Sequence, residues 1–505
     1  MSSSAEVVVH GATSAGVCAA VAAARAGASV VLLEPGRHVG GMTSGGLGYT
    51  DVGDVRVLGG MAAEFRAAVA DHYGVPVGHY AGPEPHVAEA IFTRWLETSG
   101  VRVVFDAGLL SVEVSDAVIT SLTTTAGDFS GAVYVDASYE ADLMAAAGVP
   151  CSVGRESRSL HGERFAGRRE VVPGRHSMPD WISPFGDDGS LLPQISDRPL
   201  ADVGEGDGGV MSYGYRVCLT TAADRIPFRR RDGYDEAHWE LGRRLFRHWE
   251  SSGVDVPAGY LLGLEPNLPG GKCDGNSLGP FSLSVLDTSA WDYPDASPEE
   301  RERIRLHHLH HAQDFLWFLA HDDAVPVGVR REMSRWGLPA DEFADTDHLP
   351  HQLYVREARR MHGAVHLTEH DLLGPSSWPD TVAMGSYHLD VREVQRGWRW
   401  VHEHPDPIAQ VVSEGYLSVP VPPYPIPYGA LTPRPEDCAN LLVPVCLSAS
   451  HVAFSSIRME PQYQMLGHVA GLAAALAVSG DVAVQRVDPS RLQRQLAADG
   501  QVLAL

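Results

Sequence analysis

The hydrophobic pattern near the N-terminus predicts two buried strands with a helix between them. Residues 7–9 are a β-branched run, and residues 29–33 form a second apolar run of strand length. Between them, residues 17–26 are almost all alanine and valine, and Gly27 follows them as a helix terminator. Strands that alternate with helices in this way are typical of a parallel α/β sheet.

The same α/β pattern stops near residue 155 and returns near residue 430. The intervening chain is rich in Pro, Trp, Tyr, His and Arg, and no second glycine-rich loop of the N-terminal kind occurs in it. After it, residues 440–445 predict a strand, and a long helix of small residues follows Pro461. We therefore predict an α/β domain built from residues 1–155 and 430–505, with residues 156–429 inserted as an α+β substrate domain.

Two glycines and one acid next to the first predicted strand and helix indicate a binding site. Gly11 and Gly16 flank the turn into the helix, and Glu34 follows the second strand, eighteen residues after Gly16. This strand–turn–helix–strand–acid pattern predicts a Rossmann-like dinucleotide site. In such a site Glu34 accepts hydrogen bonds from a ribose. The alternative is an ordinary tight strand–helix turn without a ligand.

The start of this helix is the predicted pyrophosphate site. Free N–H groups at Ser14 and Ala15 face the phosphates, because the first turn of a helix leaves its donors unpaired. Thr13 stands where the dinucleotide pattern has its middle glycine. Its hydroxyl can instead donate a hydrogen bond to phosphate.

A second glycine pair selects the dinucleotide. Gly40 and Gly41 come six residues after Glu34, and Met42 and Thr43 follow them directly. Glu-x5-Gly-Gly resembles the extended fingerprint of FAD enzymes with the glutathione-reductase-like fold. We therefore predict FAD as the cofactor, with Gly41, Met42 and Thr43 in contact with it.

Further FAD contacts are expected at residues that follow predicted strands or precede the C-terminal helix. The backbone near Leu110 is expected to meet the adenine. Asp136 is expected either as a cofactor contact or as a helix N-cap, and the two roles can coexist. The C-terminal helix is expected to aim its N-terminus at the flavin pyrimidine ring, or else only to pack closely. The additional candidates are Arg37, Ala137, Arg458 and Met459.

Composition and charge exclude several classes of function. The net charge is −25, and no basic stripe is visible, so nucleic acid and membranes are not expected as partners. No run of eighteen apolar residues and no signal peptide are present, so we expect a cytoplasmic protein. The six cysteines form no C-x-x-C pair, which argues against a redox dithiol or zinc site. His307 and His311 have metal-ligand spacing, but a solvated helix face explains them better, and no metal is predicted.

The inserted segment carries several candidate catalytic residues. Lys272 is the only lysine among 39 basic residues, so it either occupies a place where arginine does not fit or is a random survivor. Residues 354–360 predict a helix with Arg356 and Arg360 on one face, either for an anion or for structural ion pairs. His388 and Asp390 share one face of a predicted strand and can act as a coupled pair.

The whole chain resembles a large bacterial family called FAD-dependent oxidoreductases, some members of which are labelled xanthan lyases. The motifs that carry this resemblance are HGATSAGVCAAVAAARAG, EPGRHVGGMTSGGLGYTD, VDASYEADLMAAAGVP, YRVCLT, GKCDGN, LYVREARRM, GSYHLD and LSASHVAFSSIRMEPQYQMLGHVAGLAAALA. The resemblance implies FAD and an oxidoreductase, and it does not identify the substrate. His388 stands where the family motif usually has proline. The lyase label has no support, because polysaccharide elimination needs no flavin.

These observations favour an oxidase or dehydrogenase that takes hydride from a small polar molecule, such as a sugar, cyclitol, amine or natural-product intermediate. His451 and His388 are the candidate bases, because the pKa of free histidine lies near neutrality. Arg356, Arg458 and Lys272 can hold a substrate anion or the charge of the flavin. Two alternatives stay open, a flavin monooxygenase with an external reductant and a non-catalytic flavin-binding scaffold. The oligomeric state is not predicted.

Overall fold

The computed structural model describes residues 3–172, 176–179, 181–402 and 407–505. The elements of the N-terminal third are β1 (Ser3–Ser4), β2 (Val7–His10), α1 (Ser14–Arg25), β3 (Val30–Leu33), α2 (Gly60–Tyr73), α3 (Pro85–Thr98), β4 (Arg102–Val104), β5 (Leu109–Ser115), β6 (Val118–Thr124), β7 (Gly127–Ser130), β8 (Val133–Asp136), α4 (Asp142–Ala146) and β9 (Cys151–Ser152). Those of the middle are α5 (Arg158–His161), β10 (Val217–Thr220), α6 (Glu240–Ser251), β11 (Lys272–Gly275), α7 (Ser289–Asp292), α8 (Pro298–His321), α9 (Val327–Met333), β12 (Arg360–Met361), α10 (Glu369–Leu373), β13 (Thr381–Gly385), β14 (Leu389–Val391), β15 (Gln395–Val401), β16 (Ile408–Glu414), β17 (Leu417–Val419) and β18 (Tyr424–Pro427). Those of the C-terminal part are β19 (Leu441–Leu442), α11 (His451–Ile457), α12 (Glu460–Gly480) and α13 (Pro489–Ala498).

A five-stranded parallel sheet in the order β19-β8-β2-β3-β4 forms the centre of the fold. Its middle strand β2 pairs Val7 with Val30 of β3 on one side and with Val133 of β8 on the other. All four residues of β2 are buried, as expected for a parallel strand covered on both faces. This confirms the predicted Rossmann-like α/β fold, and the edge strand β19 comes from the C-terminal part of the chain.

Helix α12 packs against α1 at very short range. A Cβ atom on Gly467 would lie 2.2 Å from the carbonyl oxygen of Ala15, and one on Gly471 would lie 2.0 Å from that of Ala19. Only glycine permits this approach, because a Cβ atom never comes so close to backbone. The C-terminal helix therefore packs directly on the helix of the N-terminal glycine pattern.

A second sheet, in the order β1-β7-β6-β5, lies beside the parallel one. Residues 129–135 divide between the two sheets: β7 ends at Ser130 in this sheet, and β8 begins at Val133 in the parallel one. The reason is visible in the burial: β8 is buried at all four positions, whereas β5 and β6 include exposed ones. Full burial is typical of a central strand of a parallel sheet, so the second half of this run joins that sheet.

The middle of the chain forms short antiparallel ladders, including β10-β11, β13-β18, β14-β17 and β15-β16. Its longest helix, α8, begins at Pro298, because the side chain of the N-cap residue Ser297 accepts a hydrogen bond from the Glu300 N–H. The division of the chain at residues 155 and 430 stays a prediction. Within the described ranges, no helix is both long enough and apolar enough to cross a membrane.

Residues 354–360 do not form the predicted helix. They are irregular up to Arg360, where β12 begins, and the Tyr354 N–H donates to the Gly214 carbonyl oxygen (3.0 Å). Arg356 donates to the Ser212 carbonyl oxygen, so this segment follows residues 212–214. The helix prediction was wrong because the buried guanidiniums of Arg356 and Arg360 are held by partners far away in the sequence. Local periodicity does not reveal such partners.

Candidate active site

The predicted pyrophosphate turn has the geometry that its glycines require. Gly11 has a φ of +87°, and a Cβ atom there would lie 2.8 Å from the Ser138 nitrogen. A Cβ atom on Gly16 would lie 1.9 Å from the Gly11 carbonyl oxygen. Both positions therefore need glycine, for backbone conformation in one case and for close approach in the other.

Thr13 caps helix α1 instead of offering its hydroxyl hydrogen to a phosphate. Its Oγ1 accepts a hydrogen bond from the Gly16 N–H (3.2 Å) and donates one to the Ala137 carbonyl oxygen (2.7 Å). This contradicts the expectation that the Thr13 hydroxyl donates a hydrogen bond to a phosphate. The Ala15 N–H has no acceptor in the described part of the chain and is open to an anion, whereas the Ser14 N–H faces the Gly40 carbonyl oxygen in the bridge between Thr13 and Gly40.

Glu34 holds the end of the turn in place. Its Oε2 accepts a hydrogen bond from the Ala12 N–H (2.7 Å), and its Oε1 accepts one from the Gly36 N–H (2.7 Å). Burial raises the pKa of Glu34, against the effect of these two donors. Arg37 lies nearby at the surface, where its Nε donates to Asp106 (3.2 Å).

Leu110 lies in β5 and is 64% exposed. Three residues before it, the Ala107 N–H donates to the Glu34 carbonyl oxygen (2.9 Å), so this segment passes beside the predicted ribose acceptor. An adenine contact at Leu110 stays a prediction.

The second glycine pair lets the backbone approach the Tyr139 side chain closely. Gly41 has a φ of +55°, and a Cβ atom there would lie 2.5 Å from the Tyr139 hydroxyl oxygen. The Met42 N–H donates to that oxygen (2.8 Å), and both Met42 and Thr43 are buried. This turn therefore packs against β8 and its following loop.

Asp136 fixes the loop after β8. Its Oδ1 accepts hydrogen bonds from the Ser138 N–H (3.1 Å) and hydroxyl (2.7 Å), and its Oδ2 accepts one from the Met144 N–H in α4 (2.8 Å). The carboxylate thus binds an early N–H of α4, although Ala141 is the residue at the N-cap position. A cofactor contact at Asp136 and Ala137 stays a prediction.

Glu460, the first residue of α12, joins all these segments. Its Oε2 accepts hydrogen bonds from the hydroxyls of Ser14 (2.5 Å) and Thr43 (2.8 Å), and its Oε1 accepts one from Tyr139 (2.6 Å). Burial raises the pKa of this carboxyl. The N-termini of α1 and α12 therefore meet at one buried side chain. The sequence did not indicate this role of Glu460, although Glu460 lies within the last of the motifs that carry the family resemblance.

Arg458 connects the start of α12 to the middle of the chain. Its Nη2 donates to the Asp390 carboxylate (3.1 Å) and carbonyl oxygen (2.8 Å), and its Nη1 donates to the Tyr354 hydroxyl (3.2 Å). Met459, the N-cap residue of α12, follows directly. The N–H of Glu460 has no acceptor among the described residues, so this helix end also offers a free donor.

His388 and Asp390 lie together, as predicted. His388 Nε2 is 3.9 Å from Asp390 Oδ1, a charge contact longer than a direct hydrogen bond. Burial opposes ionisation of Asp390, but His388 and the guanidiniums of Arg458 and Arg392 lower the pKa of this carboxyl well below its usual range. The His388 side chain is 34% exposed, so it remains accessible to a small molecule.

His451 occupies a different environment. It is the first residue of α11 and is 1% exposed. Its Nδ1 lies 2.8 Å from Glu357 Oε2, and its backbone N–H donates to Glu156 (2.9 Å). Arg360 pairs with both of these glutamates. His451 therefore belongs to a buried ion network, which speaks against its predicted role as the base.

Lys272 is also fully engaged by protein groups. Its ammonium lies 2.6 Å from Glu84, 2.8 Å from Asp341 and 2.7 Å from Glu342. These three carboxylates and His86 are close enough together to resemble a metal site, but the ammonium already pairs with the carboxylates. With three donors directed at three carboxylates, this lysine has none left for a substrate, which favours a structural role over the predicted catalytic one.

A cavity of about 740 Å³ opens beside this region. Tyr49, Asp51, Arg216 and Asp274 are among the residues that line it. Asp51 also lines a small pocket bounded by Tyr354, Arg458 and Glu460. The two spaces therefore share Asp51, and the small pocket reaches the start of α12, where the open Glu460 N–H lies.

The parallel sheet, the glycine turn and the converging helix ends define a flavoprotein with a Rossmann-like FAD-binding fold. The chain belongs to the FAD dependent oxidoreductase family, whose model matches residues 6–496. It is an enzyme of that class, and its cofactor is FAD. The bacterial origin and the xanthan-lyase label stay unconfirmed.

Solved flavoenzyme structures resemble parts of the chain. An L-proline dehydrogenase from P. horikoshii is 17% identical, covers 31% of this chain and 59% of its own length, and has a TM-score of 0.25. An L-amino acid deaminase from Proteus vulgaris is 15% identical, with coverage of 27% and 53% and a TM-score of 0.23. The thioredoxin reductase of T. acidophilum is 16% identical, with coverage of 26% and 34% and a TM-score of 0.18. The chain thus spans about a third to three fifths of these proteins, and no curated protein matches it.

Proposed function

We propose that this FAD-dependent oxidoreductase is an oxidase or dehydrogenase that removes hydride from a C–H bond of a small polar molecule. The carrying observation is that Asp390 lies between His388 and Arg458. Arg458 directly precedes the N-cap of α12, so a titratable imidazole is tied to the helix end proposed to face the flavin.

The residues around the two helix N-termini fit FAD. Gly11 and Gly16 permit the tight turn at the start of α1, and Ser14 and the open N–H of Ala15 would hold the pyrophosphate. We assign Glu34 to the adenosine ribose. When bound, FAD supplies the two-electron acceptor that removal of a hydride needs.

A second group of residues would hold the flavin end. Met42 and Thr43 lie beside Glu460, and Arg458 and Met459 precede the open N-terminus of α12. We assign this helix end to the pyrimidine ring, where its partial positive charge would stabilise negative charge. The buried position of these groups keeps water away from the site.

In the proposed reaction His388 acts as the base. Its imidazole takes the proton from the substrate hydroxyl or amine, while the adjacent C–H bond breaks and both its electrons leave with the hydrogen. Asp390 stays ionised, so it orients the ring and stabilises the imidazolium that forms. Arg458 in turn fixes Asp390, because it donates to both the side chain and the backbone of that residue.

The test is hydrogen peroxide or dye reduction with a panel of sugars, cyclitols, amines and hydroxy acids. The proposal expects one class to give turnover without NAD(P)H. Asp390→Asn, which keeps the shape but removes the charge, is expected to slow turnover roughly 10²-fold or more. Asp380→Asn is the matched control, since Asp380 accepts the Gly429 N–H (3.0 Å) in a structural contact. Turnover that requires NAD(P)H would instead indicate a monooxygenase.

A further inference from the structure

The part of the site around Tyr354 is rich in arginine. Four guanidiniums gather there, and Arg356 lies among the other three, each of which lowers its pKa. Burial is the larger cause, and together they lower the pKa of Arg356 to about 9. The four are Arg216, Arg356, Arg392 and Arg458.

Three of these cations have a carboxylate partner. Arg216 makes two hydrogen bonds to Asp274 (2.7 and 2.6 Å), and Arg458 pairs with Asp390 (3.1 Å). Arg392 lies 3.3 Å from Glu393. Each of these pairs is formally neutral, although Glu393 also contacts His176 (2.6 Å).

Arg356 has no such partner in the described ranges of the chain. It is 5% exposed, donates to the Ser212 carbonyl oxygen, and lies with its guanidinium 4.2 Å from the centre of the Tyr354 ring. Neither contact supplies a negative charge. A buried cation without a counter-ion is costly, so it indicates a place where an anion binds.

Other buried arginines show what distinguishes this one. Arg396 also donates to a carbonyl oxygen, that of Pro280 (2.8 Å), and lies over the Phe281 ring. Its charged neighbours are Glu393 and Asp287, so acids surround it. Arg169 lies near Glu414 as well as near Arg155. Of these three buried arginines, Arg356 alone combines a missing carboxylate partner with three neighbouring cations.

The neighbourhood of Arg356 is also where a ligand can arrive. Tyr354, which contacts both Arg356 and Arg458, lines the small pocket at the start of α12. Arg216 lines the 740 Å³ cavity. Asp51 lines both, but it is exposed to solvent and forms no salt bridge with a described residue. A ligand in the small pocket therefore lies beside Tyr354, whose ring contacts Arg356, whereas acids outnumber Arg216 in the lining of the large cavity.

We infer that Arg356 and its neighbouring guanidiniums bind a carboxylate of the substrate. The substrate class is then a small monocarboxylic acid whose oxidisable C–H bond bears a hydroxyl or amine. A carboxylate would supply the counter-ion that Arg356 lacks, and its two oxygens match the planar donor fork of a guanidinium. The oxidation of this substrate rests on the proposed function, whereas the binding of its carboxylate does not.

Binding is tested on the FAD-loaded protein without turnover. Acetate, lactate and benzoate are each compared with the matching amide, by the change in flavin absorbance and by calorimetry. The inference expects at least one carboxylate to bind roughly tenfold or more tightly than its amide, because the amide lacks the charge. No carboxylate preference in any of the three pairs would overturn it. Carboxylate binding without any substrate oxidation would overturn the proposed function and leave the binding site intact.

Variants locate the site. Arg356→Gln is expected to weaken the carboxylate roughly ten- to a hundredfold and to leave the amide unchanged, whereas Arg396→Gln should change neither. Arg356→Lys keeps the charge and serves if the glutamine variant does not fold; it should retain part of the preference. Unchanged carboxylate affinity in both Arg356 variants would contradict the assignment. The assignment would also be contradicted if the Arg356 variants bound carboxylates normally but changed the affinity of the flavin for sulfite. Arg356 would then act on the flavin and not on the substrate.

Discussion

Ser14 donates a 2.5 Å hydrogen bond to Glu460, although the two residues are 446 positions apart in the sequence. Each is the first residue of its helix, so the bond joins the N-termini of α1 and α12. Two helix ends that point at the same space both favour negative charge there. Glu460 lies at that point and joins the two helix ends through its hydrogen bonds.

Removal of this bond should destabilise the protein. Ser14→Ala is expected to lower the free energy of unfolding by roughly 1.5–3 kcal/mol, as for other buried hydrogen bonds to a charged group. Ser479→Ala is the control, because its hydroxyl donates only to Leu476 within the same helix. Denaturant unfolding measures both. Equal stability of the two variants would show that the bond contributes nothing.

Glu460 should also make stability depend on pH in a defined direction. Burial raises the pKa of Glu460 above its usual value of 4.5, so the folded protein holds the proton more tightly than the unfolded chain does. The stabilisation is fully present below pH 4.5 and is lost as the pH rises through the folded-state pKa. Unfolding of the wild type and of Glu460→Gln over this range should show the wild type losing stability relative to the variant as pH rises. A difference that stays constant with pH would contradict this.

The contact between α1 and α12 gives a matched pair of glycine substitutions. Gly471→Ala places a Cβ atom 2.0 Å from the Ala19 carbonyl oxygen and should cost about 1–3 kcal/mol or more in stability. Gly480→Ala, at the end of the same helix, places a Cβ atom no closer than 3.5 Å to a neighbouring atom and should be neutral or stabilising by up to about 1 kcal/mol. Thermal unfolding distinguishes them. A neutral Gly471→Ala would mean that the helices lie further apart.

Lys272 should prove structural. Lys272→Met leaves Glu342, whose side chain is 1% exposed, without its cation, and should cost about 3–5 kcal/mol. Arg25→Met, which breaks the exposed pair with Glu64, should cost no more than about 1 kcal/mol. Turnover per folded molecule should be unchanged in both. A stable Lys272→Met protein with abolished turnover would restore the catalytic role.

Substitution of the two candidate histidines should have different effects, one on the rate of flavin reduction and the other on the stability of the protein. His388→Asn is expected to slow flavin reduction by substrate about 10²–10⁴-fold and to remove the dependence of that rate on a base, with little effect on folding. His451→Asn should instead lower stability, because it disturbs the buried network around Glu357. Rapid mixing at several pH values measures the rates. The opposite outcome, slow reduction in a stable His451 variant, would return the base to His451.

The sequence predicted the parts of the site that depend on local backbone geometry. Gly11, Gly16 and Glu34 were found because a tight turn, a close helix and a strand end each require a particular residue at a fixed spacing. Ser14 was assigned only to phosphate, since nothing local indicates a partner 446 residues away. Residues 354–360 were predicted as a helix for the same reason: long-range contacts, not periodicity, determine their conformation.

The proposed function depends most directly on whether a small polar molecule alone reduces the bound flavin. The measurement is the visible spectrum of the FAD-loaded protein under anaerobic conditions, during addition of small hydroxy and amino acids, sugars, cyclitols and amines. The account predicts that a hydroxy or amino acid bleaches the oxidised flavin without NAD(P)H, and that His388→Asn slows this bleaching roughly 10²-fold or more. A flavin that stays oxidised with every such compound, and is reduced only by NAD(P)H or an external reductase, would contradict the account.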